Sequence, residues 1–269
     1  MHDSAFEKAE VFRRAYLAAY EDVPLTVLDV GAAVVAEGHG SNRQAFENPN
    51  WRYLGLDIEA GPNVDLVVAD PYDWREVADA SADVVTCSQV FEHTEFFWIT
   101  ILEIARALRP NGLAFIVAPG SGPLHRYPVD CWRFYDDGLP ALARWADLTV
   151  LESAVQWRPV YRRGNQWRDA AIVLQRPVRS AAEEARAAAR NRFVKAAQTG
   201  LAPAAAAHEA GLPTPGVIGP ARGLGALAAH EEALARAKSP LAYKLSLAGA
   251  HLRAIRGLLG TGARDIRAE

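Results

Sequence analysis

Three features are scarce in this sequence of 269 residues, and each shortage excludes a class of protein. Two cysteines, Cys87 and Cys131, are too few for a disulfide scaffold or a cysteine-based zinc site, so we expect reduced thiols. No apolar run approaches the roughly 20 residues that span a bilayer, and the first ten residues lack the layout of a secretory signal. Neither sign of charge dominates, because 29 basic and 32 acidic residues leave a net charge of -3. We therefore expect a cytoplasmic location, with no membrane span and no nucleic-acid partner.

Apolar residues make up half of the chain, enough for a core. Residues 5–20 place Ala5, Ala9, Phe12, Tyr16 and Ala19 at helical spacing. A second helix is predicted from Phe97, Ile101, Ile104 and Leu108, and it should end at the Arg-Pro-Asn-Gly stretch, residues 109–112. Seven apolar runs are typical of buried strands: Thr26–Val30, Tyr53–Leu56, Val64–Val68, Val84–Cys87, Leu113–Ala118, Leu148–Glu152 and Ala170–Gln175.

The alternation of strands and helices predicts an α/β fold, a Rossmann-like, doubly wound and mostly parallel seven-stranded sheet. We expect an N-terminal helix in residues 1–24, the core in residues 25–178 and an alanine-rich helical extension in residues 179–269. The extension includes a helical segment at 226–258, and it would cap the active site, form a homodimer or dock a partner.

Polar residues follow several of the predicted strands. A glycine-rich turn after the first strand, residues 27–40, permits close approach of a ligand, although glycines after a strand are often only a turn. Asp57 ends the second strand, where a carboxylate accepts hydrogen bonds from both hydroxyls of a ribose. Asp70 and the stretch Ser88–His93 follow the next two strands. Carboxyl ends of parallel strands form the ligand site of open α/β sheets.

In this order, the stretches VLDVG, YLGLDI, VVADPYDW, VTCSQVFEH and LRPNGLAFIVAP resemble the class I S-adenosylmethionine-dependent methyltransferases over residues 25–178. The resemblance implies S-adenosylmethionine as cofactor. It places Asp29 and Gly31 against the methionine moiety and Asp57 at the ribose, and it includes Ile58 among the cofactor-binding residues. Asp70, Pro71 and Tyr72 would frame the adenine, Gln89 with Glu92 and His93 would face the methyl sulfonium and the substrate, and Ser88 is a further cofactor-binding residue. Ala33 replaces the second glycine of the usual motif, so contacts by Gly38, Gly40 and Ser41 are not assigned.

Residues 120–138, here named loop 120–138, are rich in aromatic and charged side chains, which suits a hydroxyl-rich acceptor such as a sugar. The string HRYPVDCWRFY within it resembles bacterial methyltransferases of glycan biosynthesis. We expect O-methylation of a sugar, glycan or glycosylated metabolite, with general-base candidates His125, favoured, Asp130 and His93. The expected acceptor-binding residues are Glu92, Arg126, Tyr127, Trp132 and Arg133.

Other interpretations of these residues stay open. Glu92 and His93 would serve equally as a helix cap, and Trp132 and Phe134 as a seal of the core edge. Glu92, Asp130, Asp136 and Asp137 offer oxygens for Mg²⁺, but their spacing indicates no dedicated site, and we expect no required metal. The cluster at residues 161–169, with Arg162, Arg163, Asn165, Gln166, Trp167 and Arg168, is either pocket lining or an exposed turn.

Two other functions fit the same pattern. The first is an NAD(P)-dependent oxidoreductase on a similar sheet, against which stand the irregular glycine turn and the lack of a Tyr-x-x-x-Lys pair. The second is a non-catalytic subunit that binds the nucleoside ligand.

Overall fold

Strands and helices alternate along the chain as the apolar runs predicted. The computed structural model describes residues 3–34, 41–155 and 166–199. The strands are β1 (Leu25–Val30), β2 (Trp51–Asp57), β3 (Leu66–Val67), β4 (Ala82–Ser88), β5 (Leu108–Ala118), β6 (Thr149–Val155) and β7 (Ala170–Gln175). The helices are α1 (Asp3–Phe12), α2 (Asn42–Ala45), α3 (Phe97–Ala107), α4 (Gly138–Trp145) and α5 (Ala181–Thr199).

All seven strands join one sheet in the order β3-β2-β1-β4-β5-β7-β6. The pairs from β3 through β5 are parallel, whereas β7 runs antiparallel to both β5 and β6. The order reverses at β1, from which the chain continues outward to β2 and later returns to β4. In such sheets the crevice at the reversal binds ligands, so the topology places a ligand site beyond the ends of β1 and β4.

Apolar side chains from both faces of the sheet are buried, which explains why its central strands have few polar residues. On one face Val27, Val84 and Phe115 pack with Ala5, Ala9 and Phe12 of α1. On the other face the core contains Leu28, Val85, Ile116, Ile101, Leu102 and Leu142, the last three from α3 and α4. Two core layers therefore hold the strand ends in a fixed arrangement.

Two predicted helices end earlier than expected. After Phe12, α1 passes into a π-helical turn, Arg13–Leu17, and then a 3-10 turn, Ala18–Tyr20. The wider turn shifts the buried position to Leu17, so Ala19, predicted to face the core, is exposed. The predicted final apolar residue of α3, Leu108, belongs instead to β5. It is opposite Ala82, and residues 109–112 form an irregularity in the strand.

The predicted strand at Val64–Val68 contains only two residues in ladder pairing, β3, at the edge of the sheet. Asp65 explains the late start, because its carboxylate accepts a hydrogen bond from the Gly55 backbone amide at 2.8 Å. The chain before it turns through Asn63, which has a φ of 73°. By contrast, β7 has the predicted bounds.

Beyond β7, Lys195 of α5 pairs with Glu103 of α3 at 2.6 Å and with Asp73 at 2.8 Å. The chain divides into two compact units, Met1–Leu201 and Ala202–Glu269, and the described residues all lie in the first. The boundary near residue 178 stays a prediction, and the helical segment at 226–258 lies outside the described residues. None of the described helices has both the length and the apolar composition needed to cross a bilayer.

Candidate active site

The strand ends that the sequence predicted as ligand-binding lie at one edge of the sheet. Val30, the last residue of β1, is opposite Leu56 in β2 and Cys87 in β4. Ser88 at the end of β4 is in turn opposite Val117 near the end of β5. The residues that follow these strands therefore converge on one crevice.

Gly31 makes the turn that leaves β1. Its φ is +74°, and a Cβ built on it would lie 2.2 Å from Cγ2 of Val90. Its amide donates to the carbonyl of Leu56 at 2.9 Å, which continues the β1–β2 contact beyond the strand. Only glycine fits here without moving Val90, so the role of Gly31 in this structure is to bring the β1 and β4 ends together. Gly38 and Gly40 lie outside the described residues.

Asp57 ends β2 and holds the start of the β1 turn. One carboxylate oxygen accepts a hydrogen bond from the Ala33 amide at 2.9 Å, and the other accepts from the Ile58 amide at 2.7 Å. The side chain is half-buried, and Ile58 beside it is exposed. A carboxylate has about four lone-pair sites, so two remain for hydroxyl donors of a ligand.

Asp29 is buried below this edge and connects three elements. It accepts hydrogen bonds from Asn42 Nδ2 at 2.8 Å and from the Tyr53 hydroxyl. The Asn42 amide oxygen accepts in turn from the Ser88 hydroxyl at 3.4 Å. Burial raises the pKa of Asp29 to about 7, although both hydrogen bonds favour the ionised form. Asn42 and Tyr53 were not singled out in the sequence.

Asp70, Pro71 and Tyr72 form a turn after β3. The Asp70 carboxylate accepts from the Tyr72 amide at 2.8 Å, so one of its oxygens stabilises the turn itself. The Tyr72 hydroxyl accepts from the Phe96 amide at 3.3 Å, and the two rings pack at 5.3 Å. The turn is thereby fixed next to the segment that begins α3, beyond the β4 end.

Gln89 follows β4 in a left-handed conformation, with a φ of 59°. Its side-chain amide donates to Asp169 at 3.2 Å, and Asp169 also accepts from Ser4 of α1 and lies 3.6 Å from Lys8. Among the described residues, the buried Oε1 of Gln89 has no hydrogen-bond partner. Sequence analysis missed Asp169, and its position directly before the last strand was the only signal.

Loop 120–138 brings His125 and Asp130 together. Asp130 Oδ2 accepts from the His125 backbone amide at 2.7 Å and lies 3.2 Å from the ring Nδ1. Arg133 donates two hydrogen bonds to the same carboxylate, at 2.6 and 2.8 Å. These bonds hold the pKa of Asp130 well below its usual range. Asp130 is therefore ionised at neutral pH and is suited to orienting an imidazole, not to accepting a proton.

His93 lies next to His125, with ring centroids 4.8 Å apart. It ends a 3-10 turn, Phe91–His93, whose Glu92 is completely buried. Burial raises the pKa of Glu92 to about 8, and burial lowers the pKa of His93. The Glu92 carbonyl accepts from the Cys131 amide at 2.6 Å, which attaches loop 120–138 to the β4 end.

The remaining predicted acceptor residues divide into two groups. The Tyr127 ring, half exposed, packs edge-on against His93 at 5.8 Å, and Arg126 is also exposed. Trp132 is held by its indole N–H, which donates to the Thr94 and Glu95 carbonyls at 3.1 and 3.2 Å.

Two further groups of residues had an alternative structural interpretation. Phe134 is buried in the core, which agrees with its interpretation as a seal of the core edge. Of the 161–169 cluster, Trp167 packs on His125 at 4.5 Å, whereas Arg162, Arg163 and Asn165 lie outside the described residues.

The residues along this edge fit S-adenosylmethionine. Asp57 offers free acceptor sites to a ribose, and Asp29 lies behind them near the β1 turn. Exposed Ile58 provides an apolar surface beside Asp57, suited to a purine ring. The buried acceptor of Gln89 needs a donor, and an ammonium group is one. These groups match the amino acid, ribose and adenine portions of the cofactor.

Residues 28–116 match a family model described as "Methyltransferase domain". This segment spans the β1 turn and the ends of β2, β3 and β4, so the match covers the crevice described above. The match supports a methyltransferase domain in this part of the chain, with S-adenosylmethionine as its cofactor. No curated protein matches the chain at a significant level.

Two solved methyltransferase structures are similar to this chain at low sequence identity. One is the 1,6-didemethyltoxoflavin-N1-methyltransferase of Burkholderia thailandensis, with bound 1,6-didemethyltoxoflavin and S-adenosylhomocysteine. It is 20% identical with a TM-score of 0.50, over 65% of this chain and 80% of that one. A SAM-dependent methyltransferase of Methanosarcina mazei is 15% identical with a TM-score of 0.46, over 61% and 98% of the two chains. The first similarity shows the Rossmann-like fold.

Proposed function

We propose that this methyltransferase O-methylates a hydroxyl of a sugar, a glycan or a glycosylated metabolite. The observation that carries the proposal is the His125–Asp130–Arg133 arrangement beside His93, at the edge of the sheet that also bears Asp57 and Gln89. An imidazole oriented by a buried, ionised carboxylate is a device for taking a proton from a hydroxyl.

Methylation of a hydroxyl requires the oxygen to lose its proton as it attacks. S-adenosylmethionine, when bound, supplies an electrophilic methyl group on a sulfonium. His125 is the favoured group to receive the proton, because Asp130 lies 3.2 Å from its Nδ1 and stabilises the resulting imidazolium. Arg133 keeps Asp130 ionised, so we assign Asp130 as a positioning residue. His93 is the second candidate base, and the lowered pKa favours its neutral form.

The side chains around the histidines suit a carbohydrate. Exposed faces of Tyr127 and Trp132 offer flat apolar surfaces for a pyranose ring, and their loop is anchored through Cys131 and Trp132 to the Glu92 carbonyl. Arg126 adds an exposed donor for hydroxyl oxygens. The proposal of a glycan acceptor is supported by this combination and by the resemblance of loop 120–138 to methyltransferases of glycan biosynthesis.

Turnover of His125→Ala tests the proposal once an acceptor has been found in a panel of sugars, nucleotide sugars and glycosides. We expect kcat to fall by about two to four orders of magnitude with S-adenosylmethionine affinity nearly unchanged. Leu124→Ala, an exposed neighbour in the same loop, is the matched control and should retain activity. Full activity of His125→Ala would transfer the role to His93.

The same experiment separates the other functions. An oxidoreductase should ignore S-adenosylmethionine, and a non-catalytic subunit should bind it without turnover on any acceptor. A cytoplasmic location and a homodimer formed through residues 179–269 stay predictions.

A further inference from the structure

Glu92, His93 and His125 bring three metal-binding side chains together. One nitrogen of each histidine and one carboxylate oxygen of Glu92 lie within 4.8 Å of one another. Glu92 is completely buried, and within the described part of the chain neither of its side-chain oxygens has a hydrogen-bond partner. A buried carboxylate without partners is costly, and such groups in folded proteins are normally hydrogen-bonded or bound to a cation.

The hydrogen bonding of His93 shows which of its nitrogens is available. Its Nδ1 lies 2.6 Å from the Val129 carbonyl, which can only accept, so Nδ1 carries the proton. The other nitrogen, Nε2, is therefore a lone-pair donor, and it lies 3.7 Å from Glu92 Oε1. Two lone pairs that face each other at this distance need either a proton or a cation between them.

His125 is held in the manner of a metal ligand. The Asp130 carboxylate lies 3.2 Å from its Nδ1, and Arg133 fixes that carboxylate from the other side. A carboxylate this close to one ring nitrogen favours the proton on that nitrogen and leaves the lone pair on the second, and metal-bound histidines usually have a carboxylate or a carbonyl in the same position. Asp130 and Val129 thus play corresponding parts for His125 and His93.

We propose that Glu92, His93 and His125 bind a divalent transition-metal ion between β4 and loop 120–138. Two imidazoles and one carboxylate suit ions of the manganese-to-zinc series, whereas Mg²⁺ and Ca²⁺ prefer oxygen ligands throughout. In a tetrahedral site with bonds of about 2.0–2.1 Å, neighbouring ligand atoms lie about 3.3 Å apart. The 3.7 Å between Glu92 and His93 is already near this value. Linear spacing did not predict the site, because His125 is 32 residues from His93.

A role for the ion in activating the acceptor rests on the proposed function, whereas binding of the ion to the protein does not. Three protein ligands leave coordination positions open for hydroxyls of the acceptor. When the ion is bound, His125 is a ligand and the ion replaces it in activating the acceptor: coordination lowers the pKa of such a hydroxyl, and the proton passes to solvent. The oxygen then forms a bond to the methyl carbon as the carbon–sulfur bond breaks with its electron pair on sulfur. A sugar with neighbouring hydroxyls could fill two positions.

The test is a titration of the tag-free, full-length protein with Co²⁺ after dialysis against a chelator. We expect visible absorption bands that saturate at one equivalent and disappear on addition of Zn²⁺. Glu92→Gln and His125→Asn should each weaken Co²⁺ binding at least 10-fold. Asp130→Asn, which alters only the orienting carboxylate, should weaken it by roughly 10- to 100-fold. Glu95→Gln, an exposed acid three residues after Glu92, is the control and should bind as the parent protein does.

Far-ultraviolet circular dichroism of each variant identifies any that fail to fold. His125→Asn is less prone to misfolding than Glu92→Gln, because His125 is half-buried and Glu92 is completely buried. Absence of saturable Co²⁺ binding, or equal binding by the parent, Glu92→Gln and His125→Asn, would overturn the proposal. Because the titration contains neither cofactor nor acceptor, its outcome is independent of whether the acceptor is a sugar. Methyl transfer without metal binding would equally leave the proposed function standing.

Discussion

Replacing Asp57 by asparagine should weaken S-adenosylmethionine binding by much more than it weakens the fold. The carboxylate already accepts hydrogen bonds from the Ala33 and Ile58 amides, at 2.9 and 2.7 Å. Its remaining lone pairs are those expected to accept from the ribose hydroxyls. Asparagine keeps one acceptor oxygen but turns an NH₂ group towards donors on the other side, so at least one hydrogen bond to the ribose or to the backbone is lost.

The size of the expected change in Kd follows from the negative charge of the Asp57 carboxylate. A hydrogen bond to a charged group contributes about 1.5–3 kcal/mol, and each 1.4 kcal/mol changes an equilibrium constant about tenfold. Loss of one ribose hydrogen bond therefore raises the Kd by roughly 10- to 150-fold. The backbone amide that loses its acceptor is near solvent, so the free energy of unfolding without ligand should fall by only about 1 kcal/mol.

Isothermal titration calorimetry with S-adenosylmethionine and S-adenosylhomocysteine measures the first effect, and urea unfolding of the ligand-free protein measures the second. Asp65→Asn is a matched control, because Asp65 also accepts a backbone hydrogen bond, from Gly55 at 2.8 Å, but precedes β3 on the far side of β2. It should change the Kd less than twofold. Equal affinities for Asp57→Asn and the parent protein, or equal losses in both variants, would refute the assignment of Asp57 to the ribose.

Two further predictions concern the β1 end. Gly31→Ala should lower the free energy of unfolding by about 2 kcal/mol or more, because a Cβ would meet Val90 at 2.2 Å in a left-handed backbone. Gly61→Ala, where a Cβ meets nothing within 4 Å, should be nearly neutral in the same urea titration. The contribution of Asp29 to the stability of the ligand-free protein should also decline as pH rises from about 4 to 7, because folding raises the pKa of Asp29 from 3.8 to about 7 and the unfolded chain releases its proton first. Between about pH 5 and 7 the contribution is roughly 2 kcal/mol, and an Asp29→Asn variant with the same pH dependence would contradict this account.

The strands could be predicted from the sequence because central strands covered on both faces can carry few polar residues. Leu28 and Val85 face one core layer while Val27 and Val84 face the other, so each strand reads as a continuous apolar run. The length of the edge strand β3 was overestimated. The apolar pattern extends beyond Leu66–Val67, but only these two residues pair with β2, and the Asp65 carboxylate before them accepts a hydrogen bond from the Gly55 amide instead. The π-helical turn after Phe12 could not be predicted from the sequence. Such a turn shifts which residues are buried, but the residues in it are the same types that an ordinary α-helix contains.

The positions of Asp57 and Gln89 at the crevice were predictable, because each lies at or directly after the end of a strand, and their contacts with the cofactor stay predictions. The site was less predictable where partners are distant in sequence. Asp169 accepts a hydrogen bond from Gln89, which is 80 residues away in sequence. Nδ1 of His93 contacts the Val129 carbonyl, which is 36 residues away in sequence. The sequence placed Asp130 among the general-base candidates, and only the structure shows that Arg133 pairs with it and keeps it ionised. Such pairings depend on loop geometry, which hydrophobic periodicity does not describe.

The contact of Asp169 with both α1 and Gln89 has a consequence for synthesis of the chain. Ser4 and Lys8 are made first, whereas Asp169 emerges from the ribosome some 160 residues later, immediately ahead of β7. A nascent chain that has already folded β1 to β5 still lacks the carboxylate that holds the Gln89 side chain. The contact that joins α1, Gln89 and the residue before β7 therefore forms only after this last strand has been inserted between β5 and β6.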